Sequence, residues 1–215
     1  MPERSLAPAA PTEQVDLFAD RYVQQQAEAR KHLGIMSAVT ILSGVAIMTL
    51  MTLLPQEATN WDSGDDKWTN FKDAWTSPPE WDKDDWPVNY LVHPWMGAIF
   101  YLLARDLGAE PLASFAYSTG LSFSWEYLVE SWSEQPSAQD LLTTSPIGSL
   151  LGEGFYRLRT GPLHDDTDGF TWKKAAGWIL DPVDLTYTLT GMKPEPPPLR
   201  ASPSGSTESG AAPSP

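Results

Sequence analysis

The chain has 215 residues, no cysteine and a formal net charge of −14. This length suits one domain with appended segments. The negative charge excludes a nucleic-acid binder that relies on clustered cations, and the missing thiols exclude disulfides and thiolate metal sites, so that His, Asp and Glu remain as metal ligands.

Residues 1–32 are predicted to be a cytosolic N-terminal segment. The first part, up to Pro11, is rich in Pro and Ala. A short apolar stripe after Thr12 indicates a modest helix that runs toward the next segment.

Residues 33–54 are predicted to be a transmembrane anchor. All 22 are uncharged, which matches the roughly 20 residues that cross a bilayer. Arg30 and Lys31 precede the segment and acidic residues follow it, so the positive-inside rule predicts a cytoplasmic N-terminus and a periplasmic C-terminal domain. A cleaved signal peptide is the alternative, but such peptides have a shorter apolar core and a small-residue cleavage site.

Residues 58–87 are predicted to be an acidic, tryptophan-rich loop. The chain has ten tryptophans, and most lie between Trp61 and Trp132. Tryptophan suits membrane interfaces and ligand-binding surfaces, because it joins a large apolar body to one N–H donor. A binding surface is therefore expected, whereas the alternative is that these side chains fill a core. Its members are Trp81, Trp86, Trp95 and Trp125.

Residues 88–191 are predicted to form a helical domain, and residues 192–215 a disordered Pro/Ser-rich tail. Three apolar blocks of helical periodicity cover 90–107, 111–132 and 137–158, and shorter helices follow up to Gly191. The fold class is all-α: a transmembrane helix, then a compact domain of about four to five helices.

Ionisable residues recur at helical spacing inside these apolar blocks. We expect them to converge in a small cavity, as a proton-transfer site or as ligands of a divalent cation. The alternative is a buried hydrogen-bond network that fixes helix register. HExxH and GxSxG motifs are absent from the sequence, so no catalytic role is assigned. The candidate residues are His93, Arg105, Glu126, Glu130, Asp140 and Glu153.

Four segments in this order resemble the DUF3943 family, a domain of unknown function in Gram-negative envelope proteins. They are PPEWDKDDWPVNYLVHPWMGAIFYLLARDLG, SFSWEYLVE, SAQDLLTTSPIGSLLGE and WILDPVDLTYTLTG. The resemblance implies an envelope location and a shared polar constellation, and by analogy an outer-membrane association, but no reaction. The matching positions are Trp81, Asp82, Asp84, Asn89, Tyr90, His93, Pro94, Gly97, Tyr101, Arg105, Trp125, Glu126, Asp140, Gly148, Gly152 and Glu153.

Two functions are consistent with these features. The first is a module of the bacterial inner membrane that binds lipid or an envelope protein partner and uses no cofactor. The second is a membrane-embedded hydrolase of a lipid or lipid-linked substrate, in which the His/Glu/Asp cluster holds a divalent cation or transfers protons.

Overall fold

The computed structural model describes residues 11–51, 53, 66–81 and 84–191. Within these residues the chain is helical, as predicted, with one isolated β-bridge between Glu80 and Ser137. The predicted tail at 192–215 and the whole segment 54–65 lie outside the described residues. The helices are α1 (Pro11–Met51), α2 (Lys67–Thr76), α3 (His93–Arg105), α4 (Pro111–Ser124), α5 (Ala138–Leu142), α6 (Gly148–Thr160), α7 (Trp172–Leu180) and α8 (Pro182–Thr190).

Three wide π-helical turns join these elements into longer helical stretches. Val88–Val92 leads into α3, Trp125–Val129 continues α4, and Thr143–Ile147 joins α5 to α6. The helical domain therefore contains the three stretches 88–105, 111–129 and 138–160.

Helix α1 is continuous across the predicted border between the cytosolic segment and the anchor. Its residues 23–51 form the one helix, within the described part of the chain, that is long and apolar enough to cross a membrane.

Four helix ends carry residue types that favour such ends. Ser137 accepts the Asp140 N–H at the start of α5, and Pro111 occupies the first turn of α4. The chain breaks before Pro182, and Gly191 ends α8 with a φ of 65°. Pro146 falls in the π-helical turn between α5 and α6, where its missing N–H requires no regular helical partner.

Helix α2 forms where the sequence indicated a loop, which corrects the prediction for 58–87. Asp66 caps it by accepting the Trp68 N–H. The aromatic residues at positions 68, 71 and 75 share one face, and Phe71 stacks on Trp132 with ring centroids 4.5 Å apart. The stabilising partner lies about 60 residues away, so local sequence could not reveal this helix.

Helix α3 lies at the centre of the bundle and packs against α4 and α6. Gly97 and Gly148 allow the backbones of α3 and the α5–α6 stretch to come into direct contact. A Cβ on Gly148 would lie only 2.6 Å from the Gly97 Cα, so no larger residue fits there. The core contains Phe100 and Leu103 of α3, and Leu33 and Met36 of α1 pack against it. Helix α1 therefore packs against the domain as one helix of the bundle.

Candidate functional site

Three ionisable side chains from three elements meet inside the bundle. They are His93 at the start of α3, Glu126 in the turn after α4, and Asp140 of α5. One ligand-type atom from each lies within 4.8 Å of the others. Glu126 is 2% exposed and Asp140 4%, so the two carboxyl groups are held away from bulk water.

Neighbouring polar groups orient these side chains. The Thr144 hydroxyl lies 3.2 Å from His93 Nδ1, while His93 Nε2 lies 3.7 Å from Asp140 Oδ1. The Ser137 backbone N–H donates to Glu126 Oε2 at 2.9 Å. The hydroxyl and the amide thus fix which ring nitrogen and which carboxylate oxygen remain turned toward the centre of the cluster.

His93 begins α3 but does not stand at the N-terminus of a free helix. The π-helical turn Val88–Val92 precedes it, and the His93 N–H donates to the Val88 carbonyl. Pro94 is accommodated because this turn already departs from the regular i→i−4 pattern. A helix-terminal dipole therefore does not act on the imidazole.

A cavity of about 370 Å³ opens onto this cluster. One wall is apolar and includes Ile47, Met48 and Met51 of α1 together with Val92 and Met96. The other end is acidic, and no Lys or Arg is among the residues that line it. Its acidic and neutral polar lining residues are Asp84, His93, Ser122, Glu126, Glu130, Glu134 and Thr144.

The six candidate residues form two separate groups rather than the single cluster that was expected. Glu130 lines the same cavity as His93, but its Oε1 accepts the Trp125 indole N–H at 2.6 Å. Arg105 and Glu153 pair with each other at 3.0 Å, away from that cavity. They lie at the other end of α3, about 18 Å from His93 at 1.5 Å per residue.

Arg105 and Glu153 belong to a tight local network. The Tyr101 hydroxyl donates to Glu153 Oε2 at 2.7 Å, and the Arg105 guanidinium lies 4.1 Å from the centroid of the Tyr156 ring. Each charged group is satisfied by the other, which is typical of an architectural ion pair.

A buried arginine that sequence reasoning missed lies at this same end of the bundle. Arg159 of α6 pairs with Asp106, with Asp181 at 2.8 Å and with Asp184 at 3.3 Å. Asp106 and Asp181 are almost completely buried. The acidic residues at the α7–α8 break were an available sequence signal, but the predicted third apolar block ended at residue 158, one residue before Arg159.

The four predicted surface tryptophans do not form one patch. Trp81 and Trp86 are 65% and 66% exposed, and Trp95 is 42% exposed. Trp125 instead packs against α1, where its ring would lie 2.5 Å from a Cβ placed on Gly44. It is an internal contact between α1 and the domain.

The three converging side chains fit a divalent cation. One imidazole nitrogen and two carboxylate oxygens are a donor set that Zn²⁺, Mn²⁺ or Fe²⁺ accepts. Two buried carboxylates also require a proton or a cation, since two uncompensated buried charges are costly. The group can therefore hold a metal ion or share protons.

Residues 78–183 match the family model described as "Domain of unknown function (DUF3943)", which confirms the resemblance noted in the sequence. No curated protein and no solved structure matches the chain. The match spans α3 to α7 and thus includes both polar groups of the bundle.

Proposed function

We propose that this chain, whose residues 78–183 are a DUF3943 domain, is a membrane-anchored protein that binds an amphiphilic ligand of lipid type between α1 and the domain. The observation that carries this proposal is the cavity described above. Its apolar wall comes in part from the anchor helix, and its far end holds the His93 cluster.

The anchor is the apolar part of α1. Residues 33–51, the uncharged part of the candidate span 23–51, are long enough to cross the hydrocarbon layer of a bilayer. Arg30 and Lys31, just before this part, favour a cytoplasmic N-terminus by the positive-inside rule. The acidic, tryptophan-rich segment 58–87 then lies on the opposite side, in the bacterial envelope, with Trp81 and Trp86 suited to the headgroup region.

The cavity determines which ligand chemistry fits. An acyl or prenyl chain would lie against the methionines of α1 and against Val92 and Met96. The acidic end repels a bare phosphate, and it favours a head that donates hydrogen bonds or carries a positive charge. An amine- or hydroxyl-bearing lipid therefore fits better than an anionic one.

A filling substitution in the cavity tests this proposal. Val92 lines the cavity, while its neighbour Leu91 is 57% exposed and does not line it. We expect Val92→Trp to lose most of the lipid that co-purifies in mild detergent, measured by native mass spectrometry. Leu91→Trp, the matched control, should retain it. Equal lipid content in the two variants would refute ligand binding in this cavity.

A second function, a metal-dependent hydrolase, is favoured by the convergence of three ligand atoms at the polar end of the cavity. His93, Glu126 and Asp140 would hold the ion, which would supply Lewis-acid activation of a water or of an ester carbonyl. Glu126→Gln keeps the side-chain volume and an oxygen that can accept the Ser137 N–H. It should lose bound metal, measured by elemental analysis, and ester hydrolysis without unfolding.

A further inference from the structure

We infer that the helical stretches 88–105, 111–129 and 138–160 cross the same bilayer as α1, so that the DUF3943 domain is a membrane-embedded four-helix bundle. This inference rests on the proposed insertion of α1 and goes beyond the anchor. It replaces the expected periplasmic domain by a bundle with both of its ends exposed to water.

The first argument is depth. The domain contacts α1 along its whole apolar length. Near the start, the Ser37 and Tyr117 hydroxyls are 2.7 Å apart. In the middle Gly44 packs on Trp125, and at the end Met51 lines the cavity beside His93. A bilayer that surrounds these residues of α1 must also surround the helices that touch them.

The second argument is length. Each of the three stretches has about 18 to 23 residues, or roughly 27 to 34 Å at 1.5 Å per residue. A hydrocarbon core is about 30 Å thick. Each stretch is a regular α-helix joined to a π-helical turn, so each α-helix taken alone is shorter than the whole stretch.

The third argument is the inverted polarity of α4. Three of its four serines face inward, since Ser114, Ser118 and Ser122 are almost completely buried. Leu112, Phe115 and Phe123 face outward, at 77%, 37% and 44% exposed, whereas Leu121 belongs to the core. A helix in water shows the opposite arrangement. In lipid, small polar residues belong at helix contacts and large apolar ones face the acyl chains.

The same arrangement recurs on α6. Gly148 and Gly152 face α3, and a Cβ on Gly152 would lie 2.9 Å from the Tyr101 ring. Leu150 is 78% exposed and Ile147, in the turn before α6, is 43% exposed. The exposed apolar side chains of α6, α4 and α1 thus give the bundle an apolar outer surface.

The fourth argument is charge. Arg105 and Arg159 lie at the end of the bundle where α1 is still close to its basic flank, Arg30 and Lys31. The opposite end carries the acidic lining of the cavity. If the N-terminus is cytoplasmic and the chain crosses the bilayer four times, the end of the bundle that carries Arg105 and Arg159 faces the cytoplasm. This is the orientation that the positive-inside rule requires.

This topology predicts which connections face the cytoplasm. The connection between α6 and α7, which contains Asp166, lies on the cytoplasmic side together with the C-terminus. The connection before α5, which contains Ser133, lies on the outer side.

Because the chain has no cysteine, single-cysteine variants of the full chain provide the test. Spheroplasts are labelled with a membrane-impermeant maleimide before and after lysis. We expect Ser133→Cys to be labelled in intact spheroplasts and Asp166→Cys only after lysis. Leu112→Cys and Leu150→Cys should stay unlabelled until detergent is added.

Labelling of both connections in intact spheroplasts would overturn the inference and leave α1 as a simple anchor. Labelling of both only after lysis would overturn it as well, with the domain on the cytoplasmic side. Release of the whole chain from membranes by carbonate would refute the insertion of α1 itself. The lipid content of Val92→Trp tests the cavity separately from all three outcomes.

Discussion

Replacement of Gly148 by alanine probes the contact on which the site depends. A Cβ at this position would lie 2.6 Å from the Gly97 Cα and 2.7 Å from the Pro94 carbonyl oxygen. Both neighbours are backbone atoms, so neither can move aside without a shift of α3 or α6. Overpacking a tight interior contact costs about 1–3 kcal/mol, and we expect the upper part of this range.

The assay for Gly148→Ala is thermal unfolding in detergent, followed by tryptophan fluorescence. For a chain of this size about 1 kcal/mol shifts Tm by roughly 2–4 °C, so a decrease of roughly 5–10 °C is expected. Gly154→Ala on the same helix is the matched control, since nothing lies within 4 Å of its Cβ position. This control should gain up to about 1 kcal/mol from the higher helix propensity of alanine.

The two glycine variants together decide the reasoning. The Thr144 hydroxyl contacts the His93 ring, and the Thr144 backbone packs against Gly97. A Cβ on Gly148 would push against this same Gly97, so Gly148→Ala should shift Thr144 relative to His93. The variant should therefore also lose ligand or metal from the cavity. Equal Tm values for Gly148→Ala and Gly154→Ala would refute the close approach of α3 and α6.

Three further predictions concern the ion pairs, the anchor contact and the loop before α7. Arg159→Ala removes the cation that pairs with two buried aspartates and should lower the free energy of unfolding by about 3–5 kcal/mol. Arg157→Ala, at an exposed ion pair, should cost less than about 1 kcal/mol in the same denaturation experiment. Tyr117→Phe removes the hydrogen bond to α1 and should cost about 1 kcal/mol, and Tyr90→Phe, at an exposed position, should leave Tm unchanged. Hydrogen bonds donated by two threonine side chains, and then by a backbone N–H, hold the pKa of Asp165 below its ordinary value. The stabilising contribution is therefore present at neutral pH and is lost as the pH falls through the acidic range below that ordinary value. The protection factor of the Thr167 backbone amide, which donates to Asp165, should fall in that range, and Asp165→Asn should remove this change in protection.

Local signals in the sequence predicted the helix ends well, because each acts within one turn. The Ser137 cap, the position of Pro111 and the left-handed Gly191 all follow from a few neighbouring residues. The α2 helix was missed for the opposite reason. Its aromatic face is stabilised by Trp132, a contact that no local pattern encodes.

The helical spacing of the polar residues predicted that they face the interior of the bundle. It did not predict at which position along the bundle axis each one lies. His93 and Arg105 of α3 both have largely buried side chains, yet they belong to different polar groups at the two ends of the helix. The groups that orient the site, such as the Thr144 hydroxyl, could not be predicted either. A threonine in an apolar block has no sequence feature that distinguishes a site partner from a helix contact.

The position of α1 connects anchoring with the site. Met48 and Met51 of this helix form part of the cavity wall, so the cavity is complete only when α1 is docked on the domain. The apolar surface of α1 suits a bilayer, and the Gly44–Trp125 contact sets how close the helix lies to the His93 cluster. Trp125 in turn donates its indole N–H to Glu130, which lines the cavity. A ligand that enters from the bilayer would therefore meet the anchor helix first and the acidic end last, which orders an amphiphile with its apolar chain toward α1 and its polar head toward the buried carboxyl groups.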